Sequence, residues 1–179
     1  MHKEFIIAGF GGQGILFTGK LLAYTGMKHD YTVSWLPSYG PEMRGGTANC
    51  SVIVSSDMIG SPLVTEATDA IIMNGPSFDK FEGMVAAGGT LFYDSTLVSN
   101  KHNRTDITYV GIPATQIATD MNKRNLANMV LIGKVIDETK LYTFEQVFEA
   151  LTGLVPKSKP QLFDFNKSAI EVGRDTPND

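Results

Sequence analysis

The sequence predicts an α/β fold: a three-layer α/β/α domain with a mostly parallel but mixed sheet and a helical C-terminal third. Three observations carry this. A short run that is apolar on both faces, Phe5 to Phe10, reads as a buried strand and is followed at once by glycines and a helical pattern. Further short apolar runs recur at Tyr31–Leu36, Thr47–Ser55, Ala70–Met73, Thr90–Asp94 and Ile107–Ile112. Beyond Pro113 the period changes from that of strands to that of helices.

Taken in order, the first helix places Ile15, Leu16, Leu22, Ala23 and Met27 on one face. In the Thr47–Ser55 run, Ala48, Cys50, Val52 and Val54 alternate with Asn49, Ser51 and Ile53, as in a half-buried strand. Only about ten residues separate it from the preceding strand, whereas a parallel crossover needs a dozen or more, so one antiparallel neighbour is expected. Ser77 is placed as the cap of the next helix. Phe78, Phe81, Met84 and Val85 form its buried stripe, and Gly88-Gly89 its stop. Three helices follow, at Ala114–Met121, Leu126–Ile136 and Phe144–Leu151. The last opens on a capping box of Thr143 and Gln146 and stops at Gly153. A final helix over Leu162–Val172 is opened by Pro160, and the tail from Arg174 to Asp179 reads as loose. The simplest organisation is one domain over 1–179, with an α/β core at 1–112 and a helical part at 113–173.

Composition narrows the function. The chain has 179 residues, 42% hydrophobic and 19% charged, which excludes a disordered chain. A net charge of −4 argues against a nucleic-acid partner, and no apolar run reaches the ~18 residues of a membrane span. Residues Met1 to Phe10 lack the pattern of a signal peptide, so the cytoplasm is the expected compartment. Cys50 is the only cysteine, and His2, His29 and His102 are scattered. No metal site is expected, and the chain alone builds no four-thiolate iron–sulfur cluster. Glycine is the outlier, at 18 where average usage gives roughly 13.

Two glycine clusters carry the chemistry. Gly9-Phe10-Gly11-Gly12-Gln13-Gly14 matches G-x-G-x-x-G between a first strand and a first helix, in a Rossmann-like position. There, backbone N–H groups and the helix N-terminus favour a phosphate. The acid that a dinucleotide site wants at the end of the second strand is missing: that strand ends Ser34-Trp35-Leu36-Pro37, and Asp30 precedes it. A loop that only packs helix against strand is the alternative to a phosphate-bearing ligand or a partner surface. The second cluster runs from Pro37 through Ser38, Tyr39, Gly40, Pro41, Glu42, Met43 and Arg44 to Gly45 and Gly46. Arg44 offers a bidentate grip on a phosphate or carboxylate, with Glu42 on the same side of an extended segment to orient it. The alternative is an Arg–Glu pair that merely holds the loop. If the second strand runs parallel to the first, both loops meet at the sheet edge that ligands favour. Asn74-Gly75-Pro76 reads as a turn at that edge, Asn125 and Asn128 as structural asparagines on a helix, Met43 and Met73 as packing, and Cys50 as a buried hydrophobe.

Together, Gly9 to Ile15 and Pro37 to Gly46 resemble the gamma subunit of the 2-oxoacid:ferredoxin oxidoreductases, with similarity continuing through Thr68-Asp69-Ala70 and the helix from Asn125 to Gly133. Thr47-Ala48-Asn49-Cys50 lies closer to the 2-oxoisovalerate or 2-oxoglutarate members than to the pyruvate or indolepyruvate ones. The resemblance implies a multi-subunit enzyme of anaerobic metabolism. Thiamine diphosphate and iron–sulfur clusters sit on alpha, beta and delta-type partners, ferredoxin accepts the electrons, and coenzyme A collects the acyl group. It implies that this chain holds no catalytic residue, is inactive alone, binds none of those cofactors by itself and helps to hold or enclose coenzyme A. The residues expected at that ligand are Gly11, Gly12, Gln13, Gly14, Ser38, Tyr39, Glu42, Arg44, Gly45 and Gly46. A non-catalytic assembly subunit and a free-standing nucleotide-binding protein are the alternative readings.

Overall fold

A computed structural model describes residues 1–38 and 47–179. Six strands form one sheet: β1 (His2–Phe10), β2 (Thr32–Ser38), β3 (Thr47–Ser55), β4 (Ala67–Ile72), β5 (Val85–Asp94) and β6 (Thr108–Ile112), in the spatial order β2-β3-β1-β4-β5-β6. The pairs β1–β4, β4–β5 and β5–β6 are parallel. β3 is the antiparallel strand, pairing with β1 on one side and β2 on the other. This is the antiparallel neighbour that the short β2–β3 connection demands. Because β3 reverses direction twice over, β2 runs the same way as β1. The carboxyl end of β2, the start of β3 and the carboxyl end of β1 therefore share one edge, with Ser38 opposite Asn49 and Thr47 opposite Phe10.

The alternation of side chains divides the core between the two faces. Phe5, Ile7, Cys50, Val52, Ile71 and Phe92 face helices α1 (Ile15–Lys28), α3 (Ala114–Asp120), α4 (Ala127–Thr139), α5 (Phe144–Leu154) and α6 (Gln161–Asp175), and join them in one buried cluster. Ile6, Ala8, Ala70, Ile72 and Leu91 point the other way. They pack with Phe78 and Phe81 of α2 (Gly75–Phe81) and with Ala67, Val85 and Val98 in a smaller cluster, flanked by Val64, Met84, Tyr93, Ile107 and Tyr109. On that thinner side polar bonds assist. Glu82 accepts from the backbone N–H and side-chain amide of Asn103, each at 3.1 Å, and from the Tyr109 hydroxyl, while the Arg104 guanidinium pairs with Asp106 at 2.5 Å.

Four expectations are corrected. Asn74, not Ser77, caps α2: its side-chain oxygen accepts from the Ser77 backbone N–H at 2.8 Å, so Ser77 is the recipient. Gly88-Gly89 does not stop that helix, which ends at Phe81, so Met84 and Val85 are not on its stripe but lie in the following 3-10 turn and at the start of β5. The two glycines lie inside β5, where Gly88 takes φ 79° beside a shift of register against β4. Gly153 lies within α5, which runs on to Leu154, and its missing Cβ makes room for the Tyr24 hydroxyl. The tail is not loose throughout: α6 continues to Asp175, and the Asp179 backbone N–H donates to the Gly111 carbonyl at 3.0 Å. The capping box of Thr143 and Gln146 is present, with both reciprocal bonds.

Candidate functional site

The glycine loop emerges from the end of β1 and turns into α1. Gly12 (φ 91°) and Gly14 (φ 77°) both occupy the left-handed region, which a residue with a Cβ enters at a cost. Gln13 is the brace of the turn. Its backbone N–H donates to the Phe10 carbonyl at 3.2 Å, its side-chain oxygen accepts from the Phe10 N–H at 2.6 Å, and its side-chain amide donates to the Met73 carbonyl at 3.0 Å. Gln13 thus ties the loop to the end of β4 and is spent on the protein. Of the four loop residues expected at a ligand, Gly11, Gly12 and Gly14 keep backbone N–H groups without a partner among the described residues. Asn128 takes the structural role read for it: its buried amide donates to the Gly14 carbonyl at 3.3 Å and to the Thr18 hydroxyl at 3.1 Å.

Beside the loop, at the carboxyl ends of the parallel strands, lies a cavity of about 700 Å³. That is within the usual range for a ligand of ordinary size. Phe10, Gly11, Gly12 and Gln13 form its first wall, and Met73, at the end of β4, its floor. Leu97 after β5, Thr115 in the first turn of α3, and Arg124, Asn125 and Ala127 at the start of α4 close it. Arg124 and Asn125 belong to a 3-10 turn that runs into α4. The Leu97 and Thr115 walls are fixed by Asp94, fully buried at the end of β5. Its carboxylate accepts from the Thr96 N–H at 3.1 Å, from the Thr115 N–H at 3.1 and 3.2 Å, and from the Thr115 hydroxyl. Arg124 is the one charged side chain among the described lining residues.

Sequence reasoning missed Arg124, Thr115, Leu97 and Asp94. The signal for Asp94 was an acid ending a strand just before Ser95-Thr96. Arg124 had none, because only the fold brings the start of α4 to the glycine loop. Ser38 ends β2, half-buried, and lines a different recess of about 410 Å³ with Leu36, Asn49 and Ser51, so it is not joined to the glycine-loop cavity. Tyr39, Glu42, Arg44, Gly45 and Gly46 lie outside the described residues, as do Gly40, Pro41 and Met43. The two ends of that segment, Ser38 and Thr47, are at the edge the sequence placed them on. Asp30 precedes β2 and so sits at the opposite edge, away from any ribose in the cavity.

Cys50 is buried under α1, with its thiol 3.6 Å from the Ile15 carbonyl. Burial pushes the thiol up from the ordinary 9.0 to about 12. The neutral form is favoured in the folded state, so this contribution to stability is complete below pH 9 and is lost as the pH climbs from 9 towards 12. Iodoacetamide at pH 8 is therefore expected to leave Cys50 intact in the folded protein and to label it in guanidinium chloride. Stoichiometric labelling of the folded chain would contradict its burial.

Fold and site together define a class: an α/β domain that presents a glycine turn and a cation to a cavity at the carboxyl edge of a mixed sheet. The chain belongs to the pyruvate ferredoxin/flavodoxin oxidoreductase family, whose model matches residues 4–176. It is 34% identical over 169 residues to the ketoisovalerate oxidoreductase subunit VorA of Methanothermobacter marburgensis, covering 94% of this chain but 35% of that one. It therefore spans about a third of the length of the first curated relatives it matches. The 2-oxoglutarate synthase subunit KorC of Methanocaldococcus jannaschii is 33% identical over 180 residues, covering 98% of this chain and 96% of that one. Among solved structures, the gamma subunit of a keto/oxoacid ferredoxin oxidoreductase from Geobacter sulfurreducens PCA superposes with a TM-score of 0.82 at 25% identity, covering 96% of this chain and 95% of that one. The 2-oxoglutarate:ferredoxin oxidoreductase from Magnetococcus marinus, solved with 2-oxoglutarate, coenzyme A and succinyl-CoA bound, superposes at 0.85 and 21% identity, over 97% of this chain and 30% of that one.

Proposed function

We propose that this chain is the gamma subunit of a thiamine-diphosphate-dependent 2-oxoacid:ferredoxin oxidoreductase of the cytoplasm, and that its glycine-loop cavity holds part of coenzyme A. The reaction is the oxidative decarboxylation of a 2-oxoacid, with 2-oxoisovalerate and 2-oxoglutarate the substrates that the relatives' names favour. Carbon dioxide leaves, the acyl group passes to the coenzyme A thiol, and two electrons go singly to ferredoxin. Thiamine diphosphate and the iron–sulfur clusters belong to alpha, beta and delta-type partners, and the single cysteine of this chain accords with that division. The observation that carries the reading is the cavity itself. The N–H groups of Gly11 and Gly12, which have no partner among the described residues, line this cavity with Arg124 at the edge of the sheet where α/β proteins take ligands. Tyr39, Glu42, Arg44, Gly45 and Gly46 are assigned to the same ligand, since the segment that bears them begins and ends at this edge.

Gly11→Val tests it. A Cβ at Gly11 meets nothing within 4 Å, and the residue is not in the left-handed region, so the variant folds. Its side chain enters the space that the ligand needs. In the assembled complex the KM for coenzyme A is expected to rise about tenfold, the equivalent of one hydrogen bond to a charged group, with the KM for the 2-oxoacid unchanged. An unaltered KM for coenzyme A would overturn the assignment. Failure of the variant to join its partners would favour a second reading, in which the loop is an assembly surface. The exposure of Phe10 at its rim speaks for that role.

A further inference from the structure

We infer that the outer edge of β2 pairs with the same edge of a second copy of this chain, joining the two sheets antiparallel about a two-fold axis. This goes beyond the coenzyme A reading and stands independently of it.

The two ends of the sheet differ. β6 bounds one end, and there the chain's own tail reaches over: the Asp179 backbone N–H donates to the Gly111 carbonyl at 3.0 Å. β2 bounds the other end and pairs only with β3 among the described residues. Edge strands are usually blunted by charges, bulges or shortness. β2 has seven residues, carries no charge and keeps an unbroken register with β3. Its one blunting device is Pro37, near the carboxyl end. The strand also bares apolar surface on both faces of the sheet. Trp35 is 37% exposed, although the missing Cβ of Gly19 lets its indole close on α1 beside the Cys50 thiol. Leu36 is 40% exposed on the opposite face and shares a recess with Leu63.

The strand's own chemistry selects the occupant. Proline lacks an N–H, so Pro37 turns its nitrogen away from β3. Alternate residues of an antiparallel ladder point the same way, so Val33 and Trp35 present N–H and C=O outward with it. In a two-fold pairing centred on Ser34, Val33 of each copy faces Trp35 of the other. Each such pair exchanges N–H···O=C bonds in both directions and sets a β-branched side chain beside an aromatic one, a favoured cross-strand match. On the other face of the sheet, Thr32 of each copy meets Leu36 of the other. The ladder ends where Pro37 would face Tyr31, whose N–H already donates to the Gly26 carbonyl at 3.0 Å. Because β2 is uncharged, a chain of net charge −4 meets itself here with no like charges across the seam. The two-fold form is also the commonest among soluble homo-oligomers. It sends the two glycine-loop cavities to opposite edges of the joined sheet.

The test follows the mass of the full chain by sedimentation velocity across a concentration series. The wild-type chain is expected to form a reversible dimer. Thr32→Lys combined with Leu36→Lys, both at exposed positions, sets lysine against lysine across the seam. This first double variant is expected to weaken the dimer by about a hundredfold or more. Thr32→Glu combined with Leu36→Lys sets opposite charges at the same places, and this second double variant is expected to restore the dimer. Deuterium exchange at the Val33 and Trp35 amides should slow as the wild-type dimer forms. A wild-type chain that stays monomeric throughout would overturn the inference, as would a first double variant that still dimerises or a second that does not. Slow exchange of both amides in a monomeric first double variant would also overturn it, because the edge would then be covered from within the chain. Failure of that variant to join partner chains, with the wild-type chain alone monomeric, would assign the edge to one of those partners instead. The Gly11→Val measurement concerns a different edge of the sheet, so the coenzyme A reading and this pairing stand or fall separately.

Discussion

Gly173→Ala is expected to lower the stability of the chain by about 3 kcal/mol, the upper end of the cost of overpacking a core. Helices α4 and α6 cross here with their backbones in direct contact. A Cβ on Gly173 would overlap the Val130 carbonyl, and one on Gly133 would overlap the Ile170 carbonyl. Both obstacles are main-chain atoms inside helices, so no rotamer change relieves them and the helices must separate. Their separation strips buried contacts from Val130 and Ile170, both fully enclosed, and pulls the Arg174 carbonyl from the buried Lys134 ammonium, which donates to it at 3.3 Å. For a chain of this length the melting temperature should fall by roughly 6–12 °C. Gly133→Ala should cost about as much, and the double variant less than the sum, because one displacement accommodates both methyl groups. A melting temperature within about 2 °C of the parent would show that the crossing is looser than described.

The second large effect is expected at Asp94. Asp94→Ala removes a fully buried carboxylate that accepts from the Thr96 and Thr115 N–H groups and from the Thr115 hydroxyl. A hydrogen bond to a charged group is worth roughly 1.5–3 kcal/mol and a stranded buried donor costs a similar amount, so a loss of about 3–4 kcal/mol is expected. The damage should be local as well as global. The amide of Thr115 should exchange with deuterium much faster than in the parent, and the KM for coenzyme A should rise, since Thr115 and Leu97 wall the cavity. Unchanged protection at Thr115 would mean that another group holds the first turn of α3.

What could be read from the sequence was what short-range chemistry dictates. The apolar β1 run, the glycine turn and the periodic face of α1 follow one another without a gap, although Met27, read as part of that face, is exposed, and the Thr143–Gln146 box is complete within four residues. The reversed β3 followed from the length of one connection. What escaped was set by neighbours distant in the chain. Gly88-Gly89 resembles a helix stop, yet it bulges a strand because β4 must keep its register. Gly153 resembles another stop, yet it yields space to Tyr24 on α1. At the site, the turn of Gly11 and Gly12 was legible because glycine declares its backbone. Arg124 was not, since an arginine near the start of a helix says nothing of which loop it will face. Gln13 was legible as a loop member but not as the brace that consumes its own donors.

The unequal layering of the sheet has a consequence for how the molecule loosens. One side is closed by five helices sharing a single apolar mass, the other by α2 and the segment around Val98 over a much smaller one. Fluctuations that stop short of global unfolding concentrate where least apolar contact must be surrendered. They therefore begin on the α2 side, among Glu82, Asn103, Arg104 and Tyr109, while α1 and α4 keep the glycine turn and Arg124 in place. The glycine-turn wall of the cavity is thus mounted on the more heavily packed face of the sheet, whereas its Leu97 wall adjoins Val98 on the side that loosens first.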